Sequence, residues 1–205
     1  MLSNRRYLGY TLALAFVFTA LFSYISASPF VLQNIVGLSP PRVYSLTFGG
    51  CAVVMAVMSA LSARLVTRVE PRTLLAAGVA AMVVVTGLLL ITVTAGGVAP
   101  VPTIALMACF MASMGFIVAN AMALATAEVR YAAGTGSAVL GFLQYALGAG
   151  ASPLVGLAGE HSAVPMGIAM FGAAVLAAVA LMVFTRGPRP EPVDTPEHEV
   201  APAVR

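Results

Sequence analysis

The side chains that could do chemistry in this chain are amides, hydroxyls and phenols set in long apolar runs, because those runs hold no Asp, Glu, Lys, Arg or His. The fifth run is the richest in them. Its residues Ser137, Gly141, Gln144, Gly148 and Ser152 follow a 4-3-4-4 spacing, which places them along one face of a helix. The central amide needs a partner or a wet cavity, since an unpaired amide is costly to bury in hydrocarbon. With Tyr145 beside it, this face reads either as the wall of a substrate path or as a packing seam. In the second reading Ser137, Gly141, Gly148 and Ser152 let two helices approach closely. Asn120 in the fourth run, and Tyr24, Gln33 and Asn34 in the first, are the other polar candidates. Each could meet a polar group of a substrate or serve as a hydrogen bond between helices.

Ionisable groups inside a span mark proton relays and ion sites, and these runs offer none; Glu70, Glu128 and Glu160 belong to their ends. No catalytic group is expected. Ser152 and His161 lie near each other in sequence but lack a third group to orient them. The stretch Gly134-Thr-Gly-Ser137 lacks the Lys and the spacing of a phosphate loop. Cys51 and Cys109 are isolated and act as small hydrophobes, and His161 and His198 have no ligand partners nearby, so neither metal nor other cofactor is expected.

The elements that position these residues follow from composition. Hydrophobic residues make up 60% of the chain and charged residues 8%, against roughly 25% charged in a soluble domain. The chain reads as a multi-pass membrane protein resident in the lipid bilayer. Six helical spans are expected, at about 7–36, 43–63, 73–95, 100–126, 134–157 and 163–185. The first is longer than a crossing needs, so a kink or end is expected near Pro29. A basic head, 1–6, precedes the spans, and a Pro-rich acidic tail, 186–205, follows them and is expected to be disordered in the cytosol.

Orientation comes from the arginines. Arg64, Arg68 and Arg72 lie in one short turn between two charge-free runs, and Lys/Arg-rich short loops stay in the cytoplasm. With that turn inside, nine of the ten basic residues fall on the same side, Arg42 being the exception. Both termini are then cytoplasmic. The same bias explains the net charge of +3 without nucleic acid. Arg64, Arg68 and Arg72 also read as headgroup contacts and as members of a cytoplasmic gate. The lack of Lys points to GC-rich coding and hence to a bacterial inner membrane.

Several stretches resemble one family. Ser28-Pro-Phe-Val-Leu-Gln33 followed by Gly37-Leu-Ser-Pro40 resembles the end of the seventh helix and the next loop in Bcr/CflA-type multidrug exporters of the major facilitator superfamily. Ser62 to Arg72 is similar to that group's loop between helices eight and nine, where a Gly usually stands in place of Glu70. Ala133 to Gln144 resembles its eleventh helix. The resemblance implies an all-α membrane protein, one six-helix half-bundle of a twelve-helix drug:proton antiporter built from three-plus-three repeats. It implies a second six-helix half or a homodimer as partner, and small amphipathic drug-like compounds and protons as cargo. In such families the coupling residues lie largely in the amino-terminal half. A subunit or fragment that only packs against a partner bundle is the alternative.

Overall fold

The computed structural model describes residues 4–35, 41–96, 99–158 and 162–185. Nearly all of them are helical, in α1 (Arg5–Phe30), α2 (Pro41–Leu65), α3 (Pro71–Thr94), α4 (Pro100–Ala127), α5 (Ala133–Ala158) and α6 (Val164–Thr185). Proline opens α2, α3 and α4, where its missing N–H belongs to the first turn and costs no bond. Asn4 caps α1, its Oδ1 accepting from the backbone N–H groups of Arg6 and Tyr7 at 3.0 and 3.3 Å. At the other end of α1 the chain passes Pro29 and widens into a π-helical turn, Val31–Ile35. Gly96, with φ of 70°, turns the chain out of α3 in the left-handed region that glycine adopts freely. The expected disordered tail, the loop at 37–40, and His161 and His198 lie outside the described residues.

Among the described residues five helices are long and apolar enough to cross a membrane. The remaining one, α5, has 26 residues and carries glycines, serines and Gln144 among its apolar side chains. The helices run from 22 to 28 residues, or about 33–42 Å at 1.5 Å per residue. That exceeds the ~30 Å hydrocarbon core, so their ends reach the headgroup region.

Helix pairing shows an internal symmetry. α1 packs along α5 and α6, while α4 packs along α2 and α3; α1 also meets α4, and α3 meets α6. Exchanging α1–α3 for α4–α6 maps this set of pairs onto itself. Directions agree with the exchange. α1 and α5 run parallel, as the contacts Tyr7–Gly136, Phe22–Gly148 and Ser26–Ser152 show. α2 and α4 do the same through Met55–Gly115 and Ser62–Asn120. α1 and α4 are antiparallel, with Asn4 beside Glu128 and Tyr24 beside Phe110. Two three-helix repeats of opposite orientation have this pattern. The described ends of the bundle lie at one face, where Gly9 of α1 abuts Thr185 of α6.

Lipid tails are as apolar as leucine, so close packing rather than water exclusion holds such helices together. Among the described glycines the closest approach to a neighbouring backbone is at Gly115, where a Cβ would stand 2.7 Å from both the Met55 carbonyl oxygen and the Ser59 nitrogen. Backbone atoms cannot step aside as a side chain can. Gly115→Ala should therefore push α2 off α4 and cost about 1–3 kcal/mol, the usual range for overpacking. Thermal unfolding of the purified chain in detergent should show a clear drop in Tm for Gly115→Ala. Gly49→Ala, which has open space around it, should leave Tm unchanged.

Candidate functional site

The polar residues of the spans separate into three groups. The first is an aromatic nest where α1, α2 and α4 meet. Tyr24 is 1% exposed; its ring stacks on Phe48 at 5.8 Å and tilts against Phe110 at 5.7 Å. Tyr44 extends the nest, 5.9 Å from Phe48. The Tyr24 hydroxyl faces the Cys51 thiol without a well-formed hydrogen bond to it. One turn on, the Ser28 hydroxyl is also buried without a partner, as is Thr103 of α4. Buried polar atoms in native proteins are overwhelmingly paired, so these orphaned hydroxyls mark the nest as a place that can receive a polar group. Gln33 lies half-buried in the π-helical turn beyond. Asn34 shares that turn, but its side chain lies outside the described residues.

The second group lies on α5 against α1. Gln144 is 5% exposed and its Oε1 has no partner. Tyr145 is 56% exposed, and its ring meets Phe18 and Phe22 edge-on at 5.7 and 6.1 Å. Gly148 lies directly under Phe22, with room for no Cβ: one would stand 2.6 Å from the ring. Ser152 is half-buried and its carbonyl accepts from Ser26 Oγ at 3.3 Å. Ser137 is exposed, and Gly141 has open space around its Cα. The buried stripe on α5 is Gly136, Leu140, Gln144 and Gly148, every fourth residue. It is turned by one position from the 4-3-4-4 set at its start and coincides with it from Gln144 onward.

The third group is fully engaged in holding helices together. Asn120 Nδ2 donates to Ser62 Oγ at 2.7 Å and to the Phe116 carbonyl at 2.6 Å, which joins α4 to α2. The Tyr7 hydroxyl donates to the Gly136 carbonyl at 2.8 Å and joins α1 to α5. Asn4 Nδ2 reaches the Glu128 carbonyl and carboxylate at 3.3 and 3.4 Å. The Arg72 guanidinium donates to the carbonyl of Thr185, the last residue of α6. A cation at that position satisfies an otherwise unpaired carbonyl and the negative end of the helix dipole. Arg64 and Arg68 are exposed, and their side chains bond to no other described residue.

Sequence reasoning did not single out Tyr7, Ser28, Ser62 or Thr103. Ser62 and Asn120 are 58 residues apart, and only the α2–α4 crossing brings them together. Their bond generates a prediction. In a double-mutant cycle of Ser62→Ala and Asn120→Ala, read by SDS-induced unfolding, the coupling should be about 0.6 kcal/mol and no more than ~1.7, the range for such bonds in membrane bundles. Zero coupling would mean that Asn120 does not tie α2 to α4.

The chain is 33% identical over 187 residues to the MFS-type transporter YdgK of Bacillus subtilis, covering 91% of this chain and 46% of that protein. It is 29% identical over 182 residues to the bicyclomycin resistance protein homolog of Haemophilus influenzae, covering 89% of this chain and 45% of that protein. The chain thus spans about half the length of the curated relatives it matches. No family model matches it, and no solved structure does. These relatives agree with an integral membrane protein that is not an enzyme. Over nine-tenths of its own length the chain is a homologue of transporters of the major facilitator type, with the helices of one half of such a bundle.

Proposed function

We propose that this chain is one half of a Bcr/CflA-type exporter in the bacterial inner membrane. Paired with a second six-helix half, either another copy or a separate chain, it expels small amphipathic compounds in exchange for protons. The observation that carries the reading is the likeness, over most of the chain, to transporters that include a bicyclomycin resistance protein homolog. Two features support it. Tyr24 and Gln144 present unpartnered polar atoms within apolar and aromatic walls, the mixture that suits amphipathic ligands. α2 and α5 carry apolar side chains that the bundle leaves uncovered, with Val53, Val57, Phe142 and Leu147 exposed, which suits contact with a second bundle. In this reading Gln33, Asn34 and Tyr145 complete the cavity, and Asn120 serves as the tie between α4 and α2 and not as cavity lining. Arg64, Arg68 and Arg72 take part in gating, and the partner half supplies the proton carriers.

The charge-free helices favour one other reading, a subunit that packs with a partner and transports nothing. Proton-dependent efflux by the purified chain in liposomes would dispose of it. Within the exporter reading, Gln144→Ala should change the drug-resistance profile of a hypersensitive bacterial strain by several-fold for at least one compound, while membrane abundance on an immunoblot stays level. Unchanged resistance to every compound tested would remove Gln144 from the cavity.

A further inference from the structure

We propose that the chain holds one anionic phospholipid from the leaflet on its arginine-bearing face. Its acyl chain lies in the groove between α2 and α3, and its phosphate lies on Arg64 and Arg68. The inference rests on the membrane-embedded fold and not on the transport reading.

α2 and α3 are joined by a short turn yet pack mainly on α4 rather than on each other. The gap between them is a groove of about 510 Å³ with α4 as its floor, lined almost wholly by apolar side chains. On α3 it extends from Leu74 to Val85. At 1.5 Å per residue this is about 16 Å of helix axis, close to the ~15 Å depth of one leaflet's hydrocarbon. Leu65 lines both this groove and a second cavity of about 480 Å³, whose other lining residues are Arg64, Thr67, Arg68 and Val69. An acyl-length apolar groove therefore adjoins, at Leu65 near the end of α2, a cavity lined by two arginines. Arg72 of the same turn is engaged by Thr185, and Glu70 does not line the cradle. Arg64 and Arg68 are left to bind an external anion, and the guanidinium fork matches a phosphate with paired N–H groups.

The repeat symmetry supplies an internal comparison. The corresponding groove lies between α5 and α6 on a floor of α1, with a volume of about 450 Å³. No charged residue lines it. Both grooves can take an acyl chain, and among the described residues only the first adjoins an arginine-lined cavity.

The test is native mass spectrometry of the full chain in detergent, titrated with phosphatidylglycerol or with phosphatidylcholine of the same acyl composition. Phosphatidylglycerol should be retained roughly thirtyfold better, as two headgroup-facing arginines imply. The double variant Arg64→Gln/Arg68→Gln, at exposed positions, should reduce it to the phosphatidylcholine level. Ala81→Leu, which fills the groove from an exposed site, should lower retention of both lipids, and Gly172→Leu in the other groove should leave the preference intact. Equal retention of the two lipids by the native chain, or undiminished preference in the arginine variant, would overturn the proposal. So would full retention by Ala81→Leu with native helix content in circular dichroism, since the lipid would then be bound elsewhere.

Discussion

A bilayer offers no water to a polar atom, so every interhelical hydrogen bond in this bundle sets where its helices can part. Those bonds are not spread evenly. Tyr7 to Gly136, Asn4 to Glu128, Ser62 to Asn120 and Arg72 to Thr185 all lie toward the face that carries the arginine turn. Between them they tie α1 to α5, α1 to α4, α2 to α4 and α3 to α6. Toward the other face a described bond between helices runs from Ser26 to the Ser152 carbonyl at 3.3 Å. The hydroxyls of Tyr24, Ser28 and Thr103 stand there unpaired. Among the described residues, separating helices at the arginine face breaks these hydrogen bonds, while at the opposite face dispersion contacts make up more of what must part.

Much of the helix content was legible because crossing a membrane demands long uncharged runs, and six such runs stand out between loops holding proline, glycine and arginine. What remained hidden was the pairing. In a soluble protein the apolar face of a helix tells which side is buried. Here nearly every face is apolar, so periodicity alone does not reveal that α1 and α4 sit at the centre while α2 and α5 lie at the sides. The polar residues had the same ambiguity. Asn120 and Gln144 look alike in sequence, each a single amide in an apolar run. The difference is Ser62, which meets one and not the other. On α5 the small-residue pattern located the packing helix but not its exact face, because glycine and serine are so frequent there that two neighbouring stripes both qualify. Gly136 and Leu140 take the buried positions at its start.

Pro29 shows how a sequence signal can be correct in kind and incomplete in form. Proline removes one backbone donor and crowds the preceding turn, so an interruption was expected at that point. The helix instead continues one residue further and relaxes into a π-helical turn, one of the few ways a helix absorbs a break without exposing its backbone. That solution keeps Val31 and Leu32 buried, and it carries Gln33 to the edge of the aromatic nest's helix without leaving the bundle.

The fold is nearly symmetric, but its surroundings are not. Exchanging the repeats turns the α2–α3 groove into the α5–α6 groove, and packing alone would give both the same contents. Membrane topology breaks the equivalence. The rule that keeps arginine-rich loops on one side loads the turn after α2, while the residues lining the second groove stay uncharged. Among the described residues, a packing gap that the repeat architecture produces twice thereby adjoins an arginine-lined cavity once. The same arginines that orient the chain then do a second task at no further structural cost: they distinguish lipids by charge, on the face where anionic lipids are richest.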